Sequence, residues 1–274
     1  MRRSVAAELL VLGKRPATWT LLGIWTCLGI FFAYVIPYAL DPEDAERGIV
    51  DYLPQSLTGT LLAGFPFFGG VFALMLGVFA FGSEYGWDTL KTLFTQRPGR
   101  LRIVAGKLIA LGLVLVPFVL SLFAAGAVAS LVIAGLEGAP AGFPSAWLLL
   151  RALAAGWLIL AVWAAFGVLL GVLGRGTSLA IGVGILYTLV VEGLLSAFED
   201  SVSVLEPLAQ VLVRTNAYAL AVALGTPVAS IESSGPGSFS GPFVATGQGV
   251  AMLVALGAAF AAAAAALLRR RDLT

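Results

Sequence analysis

Six runs of about twenty or more mostly apolar residues, each bounded by charged or Pro/Gly-rich breaks, leave this chain few ways to fold. They cover approximately 17–40, 57–81, 103–136, 146–173, 178–198 and 246–268. Each is long enough as an α-helix to cross a hydrocarbon core of roughly 30 Å. Hydrocarbon offers a bare backbone no hydrogen-bond partner, so a spanning segment is either a helix or part of a closed barrel. Barrel strands alternate apolar and polar residues over about ten positions, and no such alternation occurs here. An apolar share of 59%, a charged share of 11% and a mean hydropathy of +0.99 exclude an ordinary soluble domain. The expected fold class is all-α, a polytopic helical membrane protein with six transmembrane helices.

Charge sets the expected orientation. With both termini cytoplasmic, thirteen of the sixteen Lys and Arg residues fall inside: Arg2, Arg3, Lys14, Arg15, Lys91, Arg97, Arg100, Arg102, Lys107, Arg175 and Arg269 to Arg271. Only Arg47, Arg151 and Arg214 fall elsewhere. Val202 to Leu224 is apolar enough to suggest a seventh span, but Glu206-Pro207 and Arg214-Thr215-Asn216 interrupt it. A seventh crossing would also place the arginine triplet outside. The region therefore reads as two short re-entrant helices that dip into the outer leaflet and return, within a broken outer stretch at 199–245.

Residues 1–16 read as an amphipathic interfacial helix. Val5, Leu9 and Leu12 share one face, opposite Arg2, Arg3, Glu8 and Lys14. The apolar run that follows is too long for a signal-peptide core, so the first span is expected to be retained. Residues 17–274 then form the six-span domain. Its longest inner break, 83–100, starts with carboxylates (Glu84, Asp88) and ends with cations (Lys91, Arg97, Arg100), the order that suits a helix dipole.

Chemistry of its own is not expected from this chain. It has no histidine and one cysteine, Cys27, which lies in an apolar run. No Walker A sequence, H-E-x-x-H or G-x-S-x-G occurs. Catalytic residues, metal ligands and bound cofactors are all expected to be absent, and nucleic acid is not an expected partner.

The segment from Ser83 to Lys107 resembles the signature of type-2 ABC transporter permeases. In that family a span ends in a Glu, a short helix with a Thr-Leu pair follows, and a Pro/Arg turn leads to Gly-Lys opening the next span. The matching residues are Glu84, Thr89-Leu90, Pro98 with Arg100, and Gly106-Lys107. The resemblance extends along the chain, with an amphipathic start, six spans and a broken region before the last. It implies that Glu84 to Thr95 forms a cytoplasmic coupling helix, with Glu84, Tyr85, Trp87, Asp88, Thr89, Lys91, Thr92, Arg97 and Arg100 meeting a partner. That partner would be an ABC ATPase subunit carrying ATP and magnesium. The resemblance further implies a second permease copy, as a homodimer, and the plasma membrane of a prokaryote. A bundle-capping loop helix that merely meets lipid headgroups is the alternative reading of the same residues. Gly86 weakens the helix start by roughly 1 kcal/mol relative to Ala.

Glu192 is the one carboxylate placed well inside a span, a costly position that suggests function. It is expected either to line a translocation path or to pair across a dimer with Arg214, or else to reach water near the outer surface. Phe65, Phe68 and Phe72 are candidates for an apolar path, with bundle packing the competing explanation. Trp19 and Trp147 suit interfacial anchors. The expected function is a permease subunit exporting a hydrophobic or amphipathic substrate. The alternative is a non-transporting membrane scaffold that binds a cytoplasmic protein.

Overall fold

The computed structural model describes residues 2–40, 48–86, 100–198, 206–232, 239 and 244–270, and every regular element among them is a helix. Six are long and apolar enough to cross a membrane: Pro16–Ala39, Phe65–Ser83, Arg102–Leu136, Ala146–Gly174, Ser178–Leu195 and Thr246–Arg269. The polytopic all-α class is as expected. An even number of crossings returns both ends of the bundle to one face, the proximal face, and the opposite face is distal.

The second and fourth spans form the centre. Their apolar windows are 72% and 61% buried, against 17%, 22% and 11% for the first, fifth and sixth spans. Glycine makes the central contact possible. A Cβ on Gly77 would collide with the Ala164 carbonyl, and one on Gly167 would collide with the Leu74 carbonyl. The two backbones therefore touch, which is how membrane helices gain packing without a hydrophobic driving force. Trp25, Phe65, Leu74, Phe81, Ile159 and Trp163 fill the space around this crossing.

Local chemistry sets the helix ends. Ser145 begins the fourth span by accepting the Leu148 N–H at 3.2 Å. Arg175 closes that span in the left-handed region, at φ 50°, and the chain turns at once into the fifth. The third span belongs to a 37-residue helix, Arg100–Leu136. At 1.5 Å per residue it is about 55 Å long, so it tilts or projects past the hydrocarbon. It carries Pro117, and tryptophan N–H groups bond its carbonyls on either side: Trp157 to Gly112 at 2.8 Å and Trp25 to Phe118 at 3.0 Å.

Three spans are interrupted by π-turns, at Phe31–Val35, Phe65–Gly69 and Tyr187–Val191. Each closes with a bond reaching back five residues: Ile36 N–H to Phe31, Gly70 N–H to Phe65 and Glu192 N–H to Tyr187. Pro37 and Pro66 account for the first two, since proline lacks the N–H and its ring crowds the carbonyl four residues back. In the third, the Thr188 hydroxyl donates to the Gly184 carbonyl at 2.9 Å, a back-bond that bends helices.

The stretch between the fifth and sixth spans differs from expectation in one respect. The sequence places Arg214-Thr215-Asn216 as a break in the apolar run, between two short helices. Instead these residues occupy the first turn of a helix, Val213–Ala223, whose residues from Val213 to Ala221 are all buried. The Asn216 amide donates to the Gln210 and Leu212 carbonyls at 2.9 and 2.7 Å, satisfying acceptors just before the helix. This inserted helix packs against the second, fourth and sixth spans. Before it lies Glu206–Ala209, where Pro207 sits in the first turn and its missing N–H costs nothing.

Candidate functional site

The proximal end of the third span is held by the N-terminal helix, Arg2–Lys14, and that of the second by Arg15, which follows it. Arg15 donates from one guanidinium nitrogen to the Phe79 carbonyl at 2.7 Å and to the Ser83 hydroxyl at 2.9 Å. It thus grips the last turns of the second span. Lys107 is 3% exposed at the foot of the third span and pairs with Glu8 at 2.8 Å. Its ammonium also lies 5.6 Å from the Phe81 ring centroid. Gly106 lets the N-terminal helix approach, because a Cβ there would lie 3.0 Å from that of Ser4. The Gly106-Lys107 dipeptide is therefore a docking point, with the glycine giving clearance and the lysine giving charge. Trp19 fixes the elbow by donating to the Gly13 carbonyl at 2.7 Å.

The segment between these two stems carries most of the expected coupling residues. Trp87, Asp88, Thr89, Lys91, Thr92 and Arg97 lie outside the described residues. Glu84 and Tyr85 belong to the last turn of the helix Gly70–Gly86, and Arg100 is the first residue of the helix Arg100–Leu136. Glu84 and Tyr85 thus continue the second span, and the rest of the expected coupling helix lies outside the described residues.

Glu192 is fully buried, and it meets Arg214 of its own chain. Its carboxylate accepts from the Val213 N–H at 3.2 Å, and also from the Arg214 N–H and the Tyr187 hydroxyl. Arg214 is 1% exposed, and its guanidinium lies 5.3 Å from Phe67, 5.9 Å from Tyr218 and 5.8 Å from Phe239. Three aromatic faces thus supply the polarisable lining a buried guanidinium needs. Glu192 is enclosed by residues of its own chain, next to Arg214.

The candidate path residues point in different directions. Phe65 is enclosed, edge-on to Trp25 at 5.4 Å, and Phe72 meets the same indole at 5.8 Å. Phe68 turns outward and stacks on Phe32 at 5.6 Å. Among the described residues, Arg214 and Phe67 lead from Glu192 to Phe68. Cys27 lies on the exposed side of the first span.

A family model described as an ABC-2 family transporter protein matches residues 11–273. The chain belongs to the ABC-2 transporter family. No curated protein matches it. As an ABC-2 protein it is a multi-pass membrane protein and the permease subunit of an ABC transporter, a class that associates with an ABC ATPase subunit. The match takes in both proximal stems, the segment between them and the inserted helix.

Several residues that organise this permease are not marked for these roles by the sequence: Glu8 as partner of Lys107, Arg15 as a cap, and Phe67, Tyr187 and Phe239 around the buried pair. Only Tyr218 has a local signal, being one helical turn from Arg214. The others meet across separations such as the 99 residues between Glu8 and Lys107.

Proposed function

We propose that this chain is the permease of an ATP-driven exporter, working as a homodimer with two copies of a separate ATPase that binds ATP and magnesium. The segment 83–100 is the point at which ATPase motion enters the bundle. The observation that carries this reading is the grip on both stems of that segment: Arg15 on Phe79 and Ser83, and Glu8 on Lys107. A push on the segment would be passed to the second span, the third span and the N-terminal helix together, not absorbed by a loose loop. The basic residues around the stems favour placing this face in the cytoplasm of a prokaryotic cell, at its plasma membrane.

A hydrophobic or amphipathic substrate is the cargo that an apolar route through such a bundle would suit. The deciding experiment is purification of the tagged permease in mild detergent, followed by identification of what accompanies it. A stoichiometric nucleotide-binding subunit whose ATP hydrolysis depends on the permease is the expected result. Purification with soluble proteins lacking any nucleotide-binding motif would favour a scaffold instead.

A further inference from the structure

The first, second and fifth spans are jointed by π-turns, whereas the helices Arg100–Leu136, Ala146–Gly174 and Thr246–Arg270 run unbroken. A π-turn is a defect in the α-helical ladder where the two halves of a helix can re-aim, and such turns concentrate at working sites. Here the three turns are linked. Phe32 in the first stacks on Phe68 in the second, with rings 14° from parallel. Phe67, beside Phe68, faces Arg214. Arg214 follows Val213, whose N–H donates at 3.2 Å to Glu192, the residue that closes the third turn.

The pieces distal to these turns are also tied together. The inserted helix starts on Glu192, which opens the distal piece of the fifth span, Glu192–Phe198. Its other end is pinned to the distal piece of the second span, Leu57–Leu62. Thr58 donates to the Leu224 carbonyl at 3.0 Å, Thr226 donates to the Gly59 carbonyl at 2.8 Å, and the bare Cα of Gly59 abuts Gly225. The distal piece of the first span joins through Tyr38, edge-on to Tyr52 at 6.5 Å. Thr60 in turn donates to the Asp51 carbonyl at 2.6 Å, next to Tyr52. Against the unbroken sixth span, the inserted helix meets the smooth backbone of Gly249. The cap also touches the third span: Leu57 and Leu61 pack at Gly126, and the Tyr38 hydroxyl donates to Glu137, just past its end, at 2.6 Å.

We propose that the three π-turns act as one joint. The distal pieces, the inserted helix and the short helix Glu206–Ala209, which packs on Glu192–Phe198, form a cap that swings as a single body against the unbroken spans, fastened by Glu192 and Arg214. The swing rests on the reading as an ATP-driven permease, since the ATPase supplies the motion. The fastener does not rest on it.

Dipolar electron resonance on full-length permease tests both parts. Spin labels go on a Cys27→Ser background at the exposed positions Leu179, Leu194 and Leu208, and labelled copies are diluted with unlabelled ones. In the permease alone, Glu192→Gln is expected to broaden the Leu194–Leu208 distance distribution, and an unchanged distribution would overturn the fastener. Should Glu192→Gln not fold, Tyr187→Phe removes one hydrogen bond to the same carboxylate and is read the same way. In the complex trapped with nucleotide, the Leu179–Leu194 distance is expected to shift while Leu194–Leu208 stays fixed. An unmoved Leu179–Leu194 distance, or a moving Leu194–Leu208 distance, would overturn the cap. Failure to find an ATPase would instead count against the transporter reading and leave the Glu192→Gln comparison decisive for the fastener.

Discussion

The Glu192 carboxylate, on the fifth span, accepts the Val213 N–H at 3.2 Å and so caps a helix that begins 21 residues later in the chain. Leu212, at the ordinary capping position, offers no side-chain acceptor. A carboxylate there satisfies an otherwise orphaned donor, suits the positive end of the helix and meets Arg214 as well. One side chain thus offsets part of the cost of burying Arg214, while the Thr215 hydroxyl and the Asn216 amide oxygen are buried without a hydrogen bond among the described residues.

Removing that carboxylate strands a buried guanidinium. Glu192→Ala is expected to cost about 3–5 kcal/mol, in the range for breaking a buried pair. Glu192→Gln should cost less because it keeps an acceptor for Val213. Replacing both partners, Glu192→Leu with Arg214→Met, should recover most of the loss. Thermal unfolding in detergent, followed by tryptophan fluorescence, ranks the three. A single Ala variant as stable as the parent would show that the pair contributes nothing.

At the proximal face, Lys107→Met leaves Glu8 without its partner and should loosen the N-terminal helix. A double-mutant cycle with Glu8→Gln should give a coupling of about 1–3 kcal/mol. Limited trypsin treatment reads the same event directly, because cleavage after Lys14 requires the elbow to open. An unaltered cleavage rate in Lys107→Met would mean that apolar packing alone docks the helix.

The central crossing should be intolerant of any side chain at two positions. Gly77→Val and Gly167→Val would each drive a side chain into a carbonyl of the facing helix, where no rotamer change can relieve it. The expected cost is at least the roughly 1–3 kcal/mol typical of overpacking. Gly23→Ala is the control, with nothing within 4 Å of the added methyl. It should match or slightly exceed the parent in stability.

Charge reversal at Lys91 or Arg97 should reduce the amount of ATPase that co-purifies while leaving the thermal unfolding of the permease itself in place. Full retention of the partner would remove these residues from the coupling surface.

On the Cys27→Ser background, Ser234→Cys should react with a membrane-impermeant maleimide added to intact cells. Reaction only after permeabilisation would invert the topology.

The number of crossings and the all-α class are legible in the residues because they follow from local quantities. Run length against bilayer thickness, the unsatisfiable backbone in hydrocarbon and the sidedness of Lys and Arg are all properties of short stretches. The docking of Lys107 is half visible, since Gly106-Lys107 stands out as a motif but nothing nearby names its partner Glu8. The inserted helix is hidden because Arg214-Thr215-Asn216, taken locally, is too polar to bury. Only the tertiary structure supplies the charge, cap and aromatic lining that reverse this local preference. Glu192 at 21 residues' distance, and Phe67 and Phe239 from elsewhere in the chain, offset the cost of burial. A helix crossing a membrane is decided by the stretch itself, whereas a buried charge is decided by what surrounds it. That surrounding exists only once the chain has packed.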